Sequence, residues 1–171
     1  NGSTPSTSVT IQKGSTGNKS YTANWSANSY TYNIVYKSSS GKELGTDTIT
    51  KKYGTTNTVN PKSFTGYTSP SSQSIKWDST SAKTITFTYT PTTYSITYTL
   101  NSGSVSGNPT SYTIESSTIT LKNPTRTGYT FTGWTGSNGS TPSTSVTIPK
   151  GSTGDKSYTA NWNANSYTYN I

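Results

Sequence analysis

The sequence "KSYTANW" occurs twice in the chain, as Lys19–Trp25 and as Lys156–Trp162. In each copy the Tyr, Ala and Trp side chains alternate with polar ones, which predicts an extended strand with one buried face. The identity extends further, because residues 1–34 and 138–171 match at 31 of 34 positions with an offset of 137 residues. Such near-identity indicates a recent duplication, so we expect a longer tandem array from which this chain represents one unit and part of the next.

The composition favours ordered β structure with thin cores. Ser and Thr make up 69 of the 171 residues, whereas Val, Ile, Leu and Phe together make up only 21. So few aliphatic residues are typical of disordered chains. However, the 14 Tyr and 4 Trp residues supply apolar surface in their place. Thr is β-branched and favours strands, so we expect small β modules of about 60–75 residues each.

Alternation of apolar and polar side chains is the dominant pattern along the chain. It is clearest in residues 30–36, 84–90 and 94–100, which read "YTYNIVY", "TITFTYT" and "YSITYTL". Clusters of Gly, Pro, Asn and Ser separate such segments and indicate turns. No segment has the 3.6-residue period of an amphipathic helix, so any helix should span one or two turns. The sequence therefore predicts a mainly β fold.

The 137-residue unit divides into two modules at "TPTTY", residues 90–94. The predicted segments are the C-terminal part of a preceding module (1–28), a first-type module (29–92), a second-type module (93–165) and the first strand of the next first-type module (166–171). The links between modules are only a few residues long and contain Pro or Asn. We therefore expect the modules to stack into an elongated rod.

The first-type module resembles the mucin-binding-protein (MucBP) repeat family. The resemblance rests on "IVYKSSSGKELGTDTITKKYGTTNTVNPKSFTGYT" (residues 34–68) and on the closing segment "KTITFTYT" (residues 83–90). Its most specific parts are the apolar-Tyr-Lys strand, "GKEL" and the turn "PKSFTGYT". The resemblance implies a module of a bacterial cell-surface protein.

The second-type module resembles the Listeria–Bacteroides repeat family, which is related to internalin B-repeats. The resemblance rests on "YSITYTLNSG" (residues 94–103), "NPTRTGYTFTGW" (123–134) and "TIPKGSTGDKSYTANW" (147–162). Both families imply β-grasp folds, usually in tandem on the bacterial surface. Because a β-grasp helix is only weakly indicated in this sequence, we expect β-grasp-like modules with very little helix.

The aromatic residues of the second-type module are predicted to form its core. Trp25 and Trp162 are equivalent in the repeat, and we expect each to close a core built on Tyr129, Phe131 and Trp134. A sugar-stacking platform is the alternative, and it requires that one aromatic face remain exposed.

The first 28 residues carry a separate expectation. We predict that residues 1–28 and 138–165 share one backbone shape, hairpin included, with strands at about Ser8–Ile11 and Ser20–Trp25. A two-stranded piece is marginal in water, so an additional contact is expected to order it. We favour pairing with a neighbouring molecule or with an adjacent copy in a longer polymer, and packing on the adjacent first-type module is the alternative.

The residue types argue against catalysis and metal binding. The chain has no His and no Cys, and its five carboxylates are Glu43, Asp47, Asp78, Glu115 and Asp155. They lack the clustering of a calcium loop. A glycosidase needs two carboxylates that face each other in a cleft, and thin β modules rarely build such a cleft. We predict no enzyme activity, no cofactor and no metal site. A Lys–Asn isopeptide or a Thr–Gln ester crosslink is the one chemical alternative.

The net charge of +8 comes from dispersed Lys residues, apart from the adjacent pair Lys51–Lys52. Solubility is one explanation, and weak attraction to anionic cell-wall polymers or glycans is the other. Specific nucleic-acid binding is not expected, because clustered Arg residues are absent. Membrane insertion is not expected either, because no apolar stretch approaches the length of a membrane span.

Taken together, the repeats, short links and resemblances predict a spacer or stalk in a bacterial cell-surface adhesin. Its location would be extracellular, either secreted or wall-anchored, and its partners would be the adjacent repeats of the same chain. Two alternatives are a weak, multivalent module that binds mucin or host glycans and a self-assembling extracellular fibre formed through exposed strand edges.

Overall fold

The computed structural model describes residues 2–170, so Asn1 and Ile171, which end the predicted segments 1–28 and 166–171, lie outside it. Within the described residues the chain forms strands and no helix, which confirms the predicted mainly β fold. The strands are β1 (Ser29–Ser38), β2 (Glu43–Lys52), β3 (Thr56–Val59), β4 (Tyr67–Thr68), β5 (Gln73–Lys76), β6 (Thr84–Pro91), β7 (Thr93–Thr99), β8 (Ser111–Thr113), β9 (Ile119–Thr120), β10 (Tyr129–Gly136), β11 (Gly139–Ser143), β12 (Thr147–Ile148) and β13 (Lys156–Ala164).

Strands β1 to β6 form the first module. Its main sheet has the order β2-β1-β6-β4, and β1 and β6 run parallel at its centre. The apolar faces predicted from alternation meet here, because Ile34 pairs with Ile85 and Tyr36 with Phe87. A small sheet of β3 and β5 contributes Val59 to the same core, together with Trp77, which follows the last residue of β5. The buried core comprises Tyr32, Ile34, Tyr36, Val59, Trp77, Ile85, Phe87 and Tyr89.

Strands β7 to β13 form the second module on the same plan. Its main sheet has the order β11-β10-β13-β7-β8, and β7 and β13 form a parallel pair. A two-stranded sheet of β9 and β12 adds to the core. That core comprises Ile96, Tyr112, Leu121, Trp134, Val146, Ile148, Tyr158 and Ala160.

The parallel central pair requires a crossover in each module, which a β-grasp fold makes with a helix. In the first module the connection from β1 to β6 consists of β2 to β5 and the turns between them, and it contains no helix. Residues 69–74 there read "SPSSQS". Ser competes with the helical backbone for hydrogen bonds, and Pro removes a donor, so this segment favours extended structure and turns.

Residues 2–28 contain no strand, so the strands predicted at about 8–11 and 20–25 are not formed in this chain. The turns of the repeat are nevertheless kept, since Ser15 N donates to Gln12 O at 3.1 Å, as Ser152 N does to Pro149 O. The predicted hairpin in residues 138–165 is also wrong. The strands at the predicted positions are β12 and β13, but β12 pairs with β9, and β13 pairs with β7 and β10.

The counterpart of residues 19–27 is β13, which pairs with β7 and β10. Among the described residues neither of these strands pairs with residues 2–28. The opposite end behaves in the same way, because residues 166–170 form no strand although the identical residues 29–33 begin β1. Tyr169 is 86% exposed, whereas its equivalent Tyr32 is fully buried. Strand formation in this repeat therefore depends on distant strands.

Candidate functional site

The boundary between the two modules is crossed by hydrogen bonds between side chains. β6 ends at Pro91 and β7 begins at Thr93, so Thr92 alone links them. Thr92 N donates a hydrogen bond of 2.9 Å to Gly66 O in the first module. Tyr67 pairs with Pro91, the last residue of β6, in the β4–β6 ladder. The first module therefore contacts the chain up to the residue before the link.

The carboxylate of Glu115 reaches from the second module to the first. Ser40 Oγ donates to its Oε2 at 2.8 Å, and Tyr67 OH donates to its Oε1 at 2.9 Å. Ser38 Oγ lies 2.7 Å from Ser40 Oγ, and Ser38 is only 1% exposed. Both carboxylate oxygens therefore accept bonds from a different module, and bonds to an ionised acceptor are stronger than neutral ones.

These contacts change the acidity of both partners. Hydrogen bonding from Ser38 and Ser40, and then from Tyr67, holds the pKa of Glu115 below its ordinary value. Burial, followed by the bond to Glu115, raises the pKa of Tyr67 to about 12. Both shifts favour the pair in which Glu115 is ionised and Tyr67 is neutral. That is the state present at neutral pH.

An apolar contact accompanies the polar one. Gly66 has a φ of +79°, and a Cβ at this position would lie 2.7 Å from Cδ1 of Ile114. Only glycine combines this left-handed conformation with such a close approach. Ile114 and Glu115 are neighbours in sequence, so one short segment of the second module supplies both contacts.

The sequence "TIES" at residues 113–116 explains how this segment is presented. Ser116 N donates to Thr113 O at 3.0 Å, which closes a tight turn after β8. Thr113 N donates to Ser116 Oγ at 3.0 Å, and Glu115 N donates to Thr113 Oγ1 at 3.3 Å. Thr and Ser side chains often satisfy turn backbones in this way. The turn fixes the backbone that carries Ile114 and Glu115.

Three other carboxylates have structural partners within a module. The Asp47 carboxylate accepts hydrogen bonds from Lys62 Nζ at 2.5 Å and from Tyr36 OH at 3.1 Å. Asp78 forms an ion pair with Lys83 at 2.7 Å. Asp155 accepts the backbone N–H of Ser95 at 2.7 Å. Among residues 2–170 no group of three or more His, Cys, Asp or Glu side chains lies together as metal ligands would.

The predicted aromatic core residues differ in how far they are buried. Trp134 is fully buried, and Phe131 and Trp162 are half-buried against the second core, with ring centroids 5.4 Å apart. Tyr129 is 37% exposed, and the Arg126 guanidinium lies 3.6 Å from the centre of its ring. The prediction for Trp25 is wrong in this chain, since Trp25 is 92% exposed. The strands that flank its equivalent Trp162 are β7 and β10, and among the described residues they pair with β13 and not with residues 2–28.

Sequence reasoning missed the junction residues Ser38, Ser40, Gly66, Tyr67 and Glu115. In the sequence Glu115 is one of five acids, and no motif around it indicates a role. A "GY" pair after Phe64 indicates a turn, but nothing in it indicates a partner 48 residues away. No other acidic residue lies near Glu115 in the sequence, so the sequence alone does not indicate a partner for it.

Comparison with known proteins addresses the second module. A family model described as the Listeria-Bacteroides repeat domain matches residues 94–161. No curated protein matches the chain. No helix among residues 2–170 has the length and apolar character needed to cross a membrane. The resemblance of residues 29–92 to mucin-binding repeats finds no support in these comparisons. Residues 94–161 are thus similar to the Listeria-Bacteroides repeat domain.

Proposed function

We propose that the two modules form a spacer repeat in the stalk of a bacterial cell-surface adhesin. The observation that carries this proposal is the one-residue link at Thr92, which is flanked by contacts that join the two modules. A link of this length cannot act as a flexible tether, because the bonds of Glu115 oppose rotation about it. Each unit would therefore keep a fixed direction along the stalk.

The repetition of the sequence supports the same role. Residues 138–171 begin a second copy that is nearly identical to residues 1–34. Repeats that contact mainly their neighbours build extended objects. Listeria-Bacteroides repeats occur in bacterial surface proteins, which supports an extracellular location, either secreted or wall-anchored. The stalk would hold a distal domain away from the envelope.

The proposed role is mechanical and not enzymatic. Asp47 and Asp78 each form an ion pair, and Glu115 joins the modules, so these carboxylates have partners other than a substrate. The two ion pairs stabilise the first module, and the bonds of Glu115 stabilise the boundary between the modules.

Solution scattering from chains of one, two and four units tests the spacer. The maximum dimension should increase by the same amount with every added unit. A matched set that carries Glu115→Ala and Ile114→Ala should show a smaller increase per unit, because its junctions bend. A compact particle at four units would exclude the spacer function.

Weak binding of mucin or host glycans is a second candidate, favoured by two exposed rings. Tyr53 is 47% and Tyr129 is 37% exposed, and such rings can stack on sugars. The net charge of +8 would also attract anionic polymers. Multivalency raises apparent affinity by about 10²–10⁴ without new contacts, so a glycan array should be probed with one, two and four units. A signal that grows with unit number favours this function.

A further inference from the structure

In tandem copies a second module is followed by the first module of the next unit. Each end of this chain contains one side of that boundary. Asn28 and Asn165 occupy the same position of the repeat, 137 residues apart. Asn165 follows the last strand of a second module, and Asn28 precedes the first strand of a first module. The surroundings of Asn165 therefore show one side of the boundary, and those of Asn28 show the other.

The hydrogen bonds on the two sides use different groups of this asparagine. Asn165 N donates to Gly128 O at 2.9 Å, and its Oδ1 accepts Thr130 Oγ1 at 2.7 Å. Asn28 O accepts the backbone N–H of Tyr53 at 2.8 Å. One asparagine can make all three bonds at once, because no donor or acceptor is used twice.

We propose that this asparagine is the one-residue link of a second fixed junction, between β13 of one unit and β1 of the next. The partner of this surface is a second copy of the 137-residue unit in the same chain. β13 ends at Ala164 and β1 begins at Ser29, so a single residue separates them in tandem copies. Thr92 has the same place at the first junction.

Two exposed aromatic faces flank this link. Tyr129 pairs with Ala164, the last residue of β13, and carries the Arg126 guanidinium on its ring. Tyr53 follows Lys52, the partner of Ser29, and its ring packs edge-on against Tyr30 at 6.1 Å. Both faces thus lie beside the strand ends that meet at the asparagine. In tandem copies they would cover each other.

The inference rests on the tandem arrangement of the proposed spacer, but it concerns a different boundary and can fail independently. A sugar ligand on the same rings is the competing occupant. The two are separable, since a junction protects only those rings that face another unit, whereas a sugar site requires rings that stay accessible in every copy.

The test uses a chain of two successive units, residues 1–171 followed by residues 35–171. Tyrosine nitration by tetranitromethane, mapped by mass spectrometry, reports the exposure of each ring. Tyr129 of the first copy and Tyr53 of the second copy meet at the internal boundary and should react several-fold more slowly. Tyr53 of the first copy and Tyr129 of the second copy face no folded unit and are the controls within the same molecule.

A substitution tests the contact itself. Tyr129→Ala in the first copy should raise the reactivity of the second copy's Tyr53 and leave the first copy's Tyr53 unchanged. The same substitution in the second copy should affect neither. Equal nitration of both copies, or no response to the first-copy substitution, would overturn the inference. Neither result would affect the first junction, whose state is read from Glu115→Ala.

Discussion

The hydroxyl of Tyr67 donates a hydrogen bond of 2.9 Å to Oε1 of Glu115, and the two residues belong to different modules. No main-sheet strand crosses this boundary, since each sheet is built from the strands of one module. Orientation therefore depends on a few side chains beside a one-residue link. Such a boundary is sensitive to single substitutions, which makes it open to direct tests.

Removal of the Tyr67 hydroxyl should weaken the boundary. Tyr67→Phe eliminates one bond to an ionised acceptor, while Glu115 keeps its bond to Ser40. Because the carboxylate is partly exposed, we expect a loss of about 1 kcal/mol in the free energy of unfolding. Urea denaturation measures this value. Tyr21→Phe, at a 48% exposed ring outside every strand, is the matched control, and an equal effect of both changes would contradict the assignment.

Acid should weaken the boundary in a defined window. Because the pKa of Glu115 is lowered in the folded chain, its contribution is complete above the ordinary Glu pKa of about 4.3 and is lost as pH falls through the lowered value. The melting temperature of the native chain should exceed that of Glu115→Gln near neutral pH, and the difference should shrink below about pH 4.3. Calorimetry from pH 7 to pH 3 measures it. A difference that stays constant down to pH 3 would show that ionisation of Glu115 is irrelevant.

The close approach of Gly66 to Ile114 can be separated from backbone strain. Gly66 and Gly54 have φ values of +79° and +81°, so Ala should cost about 1–2 kcal/mol at either position from conformation alone. A Cβ at Gly54 meets nothing within 4 Å, whereas one at Gly66 meets Ile114. We therefore expect Gly66→Ala to be the more destabilising change in thermal unfolding.

A second substitution identifies the cause of that excess. Ile114→Ala removes the Cδ1 and Cγ2 atoms that a Cβ at Gly66 would meet at 2.7 and 3.2 Å. In this background the difference between Gly66→Ala and Gly54→Ala should become smaller. If the difference persists in full, the strain arises elsewhere in the Phe64–Tyr67 turn.

The alternation of side chains was sufficient to predict the sheets. In residues 84–90, Ile85, Phe87 and Tyr89 are all buried, and the Thr residues between them are largely exposed. Large aromatic and β-branched residues at every second position leave one choice of face, so the side chains that point into the core follow from local sequence once the strand is paired. The Listeria-Bacteroides match covers the module for which the aromatic pattern was most specific.

The boundary and the chain ends could not be predicted in this way. Identical residues are buried in β13 and exposed in residues 2–28, since Tyr158 is 4% and Tyr21 is 48% exposed. Local sequence is the same in both copies, so the difference must arise from strands elsewhere in the chain. The same holds for Glu115, whose partners lie in turns of another module. Turn sequences carry no periodic signal that relates them to each other.

The two buried indoles should differ in their response to truncation. Trp77 Nε1 donates to Tyr30 O at 3.1 Å, whereas the N–H of Trp134 is buried without a hydrogen-bond partner among the described residues. Trp77→Phe removes the donor of this bond, but Trp134→Phe removes an unsatisfied donor. Beyond the loss of apolar contact that both share, Trp77→Phe should cost about 1 kcal/mol more. Urea titration followed by NMR cross-peaks of each module measures both values, and equal losses would refute the distinction.

Trp25 provides the last prediction, because its environment should depend on residues that precede it. Trp162 donates its indole N–H to Leu100 O at 3.1 Å and packs against Phe131, but Trp25 is 92% exposed. Placing a copy of residues 93–137 before residue 1 restores every partner strand of the second module. Residues 2–28 should then form the equivalents of β11, β12 and β13.

Acrylamide quenching of tryptophan fluorescence measures this change, with Trp25→Phe in each background isolating the signal of Trp25. In the 171-residue chain Trp25 should be fully accessible to the quencher. In the extended chain it should become as protected as Trp162, because the copies of Leu100 and Phe131 then lie beside it. A scrambled copy of residues 93–137 is the control for length alone. Unchanged quenching with the true copy would mean that residues 2–28 cannot adopt the strand structure of their nearly identical counterpart, and the two-module unit would then need another boundary.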